Sequence, residues 1–281
     1  MNMHDFTPGA QLIRKNVPLT MDEIRKAAPS AFATEAYRDR SDRYTYIPTS
    51  AVIENMMQAG FRVYQASQSR TSIEDKRQHT KHMIRFRADN AVRVVGDSFA
   101  EIVLVNAHDG SSAYKLMGGI FVLACTNGLV VADTMLASIH VRHSGNVIEE
   151  VARGSVELVD KMPETIDAVK RWKQIQLSRS EQLLLADAAH TMRFADAEGK
   201  VNTPIRAEQL LRPKRYADSG ADLWSTFNRI QENVIKGGLQ ARAVGATRRT
   251  GMREVKGIDQ NVNLNKALWT LAEKMAELRA A

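Results

Sequence analysis

Between Asn106 and Gly119 the sequence reads NAHDGSSAYKLMGG, which places His108, Asp109, Ser111 and Ser112 side by side. These are the residue types of a hydrolytic triad, in which an imidazole activates a hydroxyl and a carboxylate orients the imidazole. Triad members must converge in space, whereas neighbours on a tight turn point in different directions. The stretch also lacks the GxxxxGK[ST] spacing and the following helix start that a phosphate-holding loop requires. Asp109-Gly110 between two apolar runs fits a hairpin turn better, with glycine supplying positive φ and Ser111 bonding local backbone. Turn chemistry accounts for neither His108 nor Ser112, so those two are the candidates for a contact to a ligand or a neighbouring subunit.

Other residue types that could do chemistry are scattered. The single cysteine, Cys125, lies in the apolar run IFVLAC and reads as a buried, inert thiol. It excludes an intramolecular disulfide and any cysteine-cluster metal site. The close pairs His79/His82 and His140/His143 have no Cys, Asp or Glu at a ligand spacing, so no metal site and no cofactor are expected. Trp172, Trp224 and Trp269 sit on helical patterns beside apolar neighbours and are expected in the core. With no paired carboxylates and no nucleophile-base spacing, no catalytic residue is assigned and a non-enzymatic role is expected.

Charge is the stronger signal. The 281 residues carry a formal net charge of +7. Two windows concentrate it: Arg62 to Arg87 has seven Lys/Arg against two acids, and Lys236 to Lys256 has six against one. Concentrated positive charge is what a phosphate-binding face needs, because neutralising phosphates releases counterions. In KHMIRFRA, Lys81, Arg85 and Arg87 share the parity of one strand face, beside a loop carrying Arg70, Lys76 and Arg77. In KGGLQARAVGATRRTGMREVKG, Arg242, Arg248, Arg249, Arg253 and Lys256 alternate with glycines that let backbone approach a ligand. Both sets are expected to contact nucleic acid.

The elements that must position these residues fall into two halves. Thr20 with Glu23 has capping-box spacing for a short helix ending at Ala28, before Pro29. Tyr44 to Ile47 is expected to form a strand, Thr49 or Ser50 to cap a helix ending at Gly60, and Phe61 to Ser67 to return as a strand, a β-α-β unit. A polar loop over 68 to 80 follows, then an antiparallel meander of four or five strands from Lys81 to about Val141. Its turn signals are Asp109-Gly110, Gly118-Gly119 and Asn127-Gly128. Beyond Ser144 the apolar period becomes helical: one long helix or two broken near Pro163, a helix capped by Ser178 or Ser180, and helices over Ala221 to Ile235 and Val262 to Leu278. The expected fold class is α+β, with a sheet domain over 1–143 and a helical region over 144–281 packing on it or extending from it. With 44% hydrophobic and 25% charged residues and no apolar run of roughly 20 residues, the chain reads as a globular cytoplasmic protein.

Three stretches carry a family resemblance: VNAHDGSSAYKLMGGIFVLACTNGLVV, LWSTFNRIQENVIKGG and MREVKGIDQNVNLNKALWTLAE. From roughly Thr45 to the C-terminus the sequence resembles a family of phage- and plasmid-borne proteins known as a domain of unknown function. The hallmark residues here are Asn106, His108 to Ser112, Cys125, Asn127 and Gly128. The resemblance implies mobile-element biology in a bacterial host and supplies no chemistry. A fold-level likeness to single-strand annealing recombinases implies oligomers and a basic DNA groove, although the long helical half departs from that pattern. The resulting expectation is an oligomeric protein that binds single-stranded DNA non-specifically or promotes annealing. The alternative is a protein-interaction module that inhibits a host defence complex.

Overall fold

The computed structural model describes residues 12–37, 46, 48–91, 98–112, 114–122, 139–141, 147–245 and 247–280. Among them, six strands form one antiparallel sheet whose spatial order follows the chain: β1 (Leu12–Arg14), β2 (Phe61–Gln68), β3 (His82–Ala88), β4 (Ser98–Asn106), β5 (Tyr114–Val122) and β6 (Ile139–Val141). Before β2 come α1 (Met21–Ala27) and α2 (Thr49–Gln58). The α+β class therefore holds, with the meander where the alternating pattern places it. The expected strand Tyr44 to Ile47 lies outside the described residues except for Tyr46, which is not in a strand. Cys125, Asn127 and Gly128 also lie outside them.

Local signals explain the first helices. Thr20 Oγ1 accepts from the Glu23 backbone N–H, and the Glu23 carboxylate accepts from the Thr20 N–H, so α1 begins on a full capping box. In α2 the N-cap is Pro48, and Thr49 is the first helical residue. The hydroxyl expected to cap the helix is used elsewhere, in a buried network described below. Gly60, at φ 86°, turns the chain out of α2 into β2.

Strand parity divides the sheet into two faces. On one, Ala66, Ile84, Leu104 and Leu116 form a cross-strand row, with Val63, Phe86 and Ile102 in the next. All are buried in a cluster that includes Ile24 of α1 and Val52, Ile53 and Met56 of α2. The same face ends in a polar row, Gln68, His82 and Asn106. On the other face, Val103, Val105 and Met117 pack against Ile258 and Val262 of the last helix. Gly118 and Gly119 are not a turn. They lie inside β5, opposite Ile102 and Glu101, because the apolar residues on both sides pair with β4 and override a local turn preference. Glycine opposite Glu101 also keeps a side chain away from a crowded charged site.

The helical half comprises α3 (Val147–Gln174), α4 (Arg179–Phe194), α5 (Leu223–Lys236) and α6 (Ile258–Ala280). α3 runs unbroken through Pro163 and packs on β4, β5 and β6. Ser178 caps α4 through a capping box with Glu181, and Asp222 caps α5 by accepting from the Ser225 N–H. α5 is buried along Leu223 to Ile235 and forms the axis of this half. Around it Trp172, Trp224 and Trp269 are buried as expected, with Trp172 and Trp269 ring centroids 4.3 Å apart. No helix among the described residues is long and apolar enough to cross a membrane.

Candidate nucleic-acid interface

A short strand pair, β7 (Gln240–Ala241) with β8 (Thr250–Gly251), forms a hairpin between α5 and α6. Its base passes so close to Met252 and Arg253 that a Cβ on Gly237, at φ 64°, would lie 2.8 Å from the Arg253 carbonyl. Against this hairpin lies the segment 204–213, with a 3-10 turn over Ala207–Leu211. Buried side chains fix the segment. Asn233 Nδ2 of α5 donates to the carbonyls of Leu210 and Arg212 at 2.9 and 2.8 Å, while Leu210 and Leu211 enter the core. Gln209 Nε2 donates to Gln240 O at 3.1 Å, and Lys214 Nζ to Gly237 O at 2.7 Å.

Segment, hairpin and the start of α4 enclose a cleft of about 570 Å³. Arg179, Arg206, Arg212 and Arg242 line it, with Pro204, Leu211 and Pro213 as apolar wall. Glu208 is the one acid in the lining, and it is paired to Arg179 at 2.9 Å. Three guanidiniums thus exceed the local carboxylate charge, and all four arginines are exposed or half-exposed. Planar guanidiniums with five donors each suit bidentate binding of phosphate oxygens.

Of the expected basic residues, Arg242 joins this cleft. Arg248 and Arg249 are exposed in the hairpin loop, and Arg253 and Lys256 are exposed on the chain leaving it. Arg179, Arg206 and Arg212 are not singled out by the two basic windows. A signal for two of them exists in RAEQLLRPKR, which sets Arg206, Arg212, Lys214 and Arg215 against Glu208 alone. Arg179 reaches the cleft only through folding.

The other basic window behaves differently. Arg70, Lys76 and Lys81 line a groove of about 370 Å³ between the 69–81 loop, the 109–111 turn and the start of α6. Two of these cations are already paired: Lys76 with Asp109 at 2.9 Å, and Lys81 with Asp259. Arg77 is exposed but outside the groove lining. Arg85 and Arg87, expected as phosphate contacts, are not available for that role. Their side chains are 1% and 7% exposed, and Glu101, fully buried, accepts from Arg85 Nε at 2.8 Å and Arg87 Nε at 3.1 Å. Arg85 also donates to Gln65 Oε1, and Arg87 lies 4.0 Å over the Tyr64 and Phe99 rings. Burial draws the Arg85 pKa down to about 9, with the Glu101 charge opposing that fall. The strand parity holds; the buried counter-ion on β4 turns a cationic face into an internal ion cluster.

His108 and Ser112 are corrected too. Ser112 is buried, and His108 is 0% exposed. Thr49 Oγ1, at the start of α2, lies 3.1 Å from His108 Nε2, 2.9 Å from His82 Nε2 and 3.4 Å from Tyr114 OH, and accepts from Asn106 Nδ2 at 3.0 Å. Ser30 Oγ reaches the far side of His82, 2.9 Å from Nδ1. One hydroxyl has one proton and two lone pairs, so these neighbours saturate Thr49. Imidazole and hydroxyl occur together here as in a nucleophilic site, but each member is sealed from solvent, and the cluster ties α2 to the sheet end instead. Asp109 turns away to Lys76 and to the Ser111 N–H at 2.9 Å, making the expected turn. Among the described residues no group of three or more His, Cys, Asp or Glu could hold a metal ion.

Known proteins resemble this chain along most of its length. Residues 36–269 match the model of DUF932, a domain of unknown function. The UPF0380 proteins YafZ and YfjQ of Escherichia coli (strain K12) are each 40% identical over 270 residues, covering 95% of this chain and 94% of the relative. No solved structure matches the chain significantly.

Proposed function

Since the chain belongs to the DUF932 family, whose description assigns no activity, we propose a function from its surface: a non-enzymatic nucleic-acid-binding protein that grips the phosphate backbone in the arginine cleft. The observation that carries this reading is four solvent-accessible arginines around one cleft with a single acid among them. The exposed Arg248, Arg249, Arg253 and Lys256 extend the positive surface along the adjoining hairpin. Contacts of this kind read charge rather than sequence, so the proposed ligand is single-stranded DNA bound non-specifically, with strand annealing as the associated activity. Oligomer formation would place several clefts along one strand, and a mobile-element role in bacterial cytoplasm fits such an activity.

Electrophoretic shift with single-stranded oligonucleotides tests the reading. Wild-type protein is expected to bind at low salt, and Arg206→Glu with Arg212→Glu to lose that binding while keeping the wild-type melting temperature. Binding that survives both reversals places the ligand elsewhere and defeats the assignment to this cleft.

A further inference from the structure

A bound strand offers bases as well as phosphates, and a few residues along the chain from the cleft's Arg212 and Pro213 stands a group suited to them. Tyr216 is 96% exposed, the most exposed large aromatic side chain among the described residues. A ring left in water contributes almost nothing to the fold, yet its backbone is held firmly. Arg215 pairs with Asp218 and lies 3.4 Å from Glu232 of α5, and both acids are buried. The Ser219 N–H and hydroxyl both donate to Tyr216 O, closing the 3-10 turn Tyr216–Asp218. Arg212 and Pro213 of the cleft lie just upstream, and Lys214, which follows them, is tied to Gly237. Tyr216 follows Arg212 by four positions, a Cα-to-Cα span of at most about 14 Å even fully extended.

We propose that Tyr216 is a stacking platform for an unpaired base of a strand whose phosphates lie in the arginine cleft. This rests on the reading of the cleft given above, and it makes single-stranded nucleic acid the preferred ligand class. Phosphates are shared by single strands and duplexes, but only an unpaired base exposes its face to a ring. Every base has such a face, so the contact is tolerant of sequence. The ring stands on the same stretch of chain as Arg206 and Arg212, two of the four cleft arginines, and both ends of that stretch are tied to α5.

The test compares Tyr216→Ala, Tyr216→Phe and the Arg206→Glu/Arg212→Glu variant, binding a thymidine 20-mer and a duplex of the same length at one salt concentration. Tyr216→Ala is expected to weaken single-strand binding on the order of tenfold and leave duplex binding unchanged. Tyr216→Phe, which keeps the ring, is expected to bind as wild type. An exposed ring makes no packing contribution, so the melting temperature should not move. If Tyr216→Ala binds the single strand as tightly as wild type while the double reversal abolishes binding, the stacking proposal is overturned and the cleft reading stands. If Tyr216→Ala weakens duplex and single strand equally, the ring is not reading bases and the proposal is again overturned. If wild-type protein binds neither ligand, both the proposal and the cleft reading fall.

Discussion

Thr49 and Glu101 show how single residues govern this fold. Each is a buried polar group serving several partners, so its removal orphans more than one neighbour. Thr49→Val keeps the shape but deletes the hydroxyl shared by His82, His108, Asn106 and Tyr114; a loss of about 3 kcal/mol is expected, measured by urea denaturation. Glu101→Ala leaves two buried guanidiniums without their carboxylate and should cost about 3–5 kcal/mol. A loss under about 1 kcal/mol in either case would mean that the cluster is not structurally required. At this scale the sequence is legible only in part. Parity places Arg85 and Arg87 together, but their counter-ion comes from another strand, and nothing local reveals that Glu101 will lie beside them. His108 likewise looks functional in its own turn and becomes structural only beside Thr49, far away in the chain.

Elements are more legible, because their signals are local. The helix caps at Thr20 and Ser178 and the turn at Asp109-Gly110 all form as their spacing predicts. Gly118-Gly119 fails as a turn for the opposite reason: pairing with β4 decides its conformation. The Asp109 turn carries a pH signature. Burial raises the Asp109 pKa, and hydrogen bonds from Ser111 and Lys76 more than reverse that, so it ends below the ordinary 3.8. An acid with a depressed folded pKa stabilises the fold above its unfolded pKa and loses that contribution as pH falls through the folded value. Asp109→Asn should therefore cost about 1 kcal/mol at neutral pH, with the difference from wild type shrinking below pH 3.8. A difference that persists undiminished into acid would show that charge is irrelevant there. Gly237 gives a second test. A Cβ there meets the Met252–Arg253 backbone at a positive φ, so Gly237→Ala should destabilise by about 1–3 kcal/mol and displace the hairpin that carries Arg242, weakening DNA binding as well.

At the scale of the whole molecule, the net charge of +7 locates no site by itself. The two basic windows of the sequence have different fates: one is spent largely on ion pairs with Glu101, Asp109 and Asp259, and the other remains exposed except for Lys236, which pairs with Glu232. The cleft assembles arginines from α4, the 204–213 segment and the hairpin, a convergence that only the packing around α5 creates. The most direct test is the salt dependence of single-strand binding, measured as the slope of log affinity against log salt concentration. Wild type should show a steep negative slope, and Arg206→Gln with Arg212→Gln, which removes the two charges without reversing them, a shallower one, by roughly 0.7 for each phosphate that is no longer neutralised. Binding that is indifferent to salt, or a slope identical in the two proteins, would contradict the arginine cleft as the nucleic-acid interface.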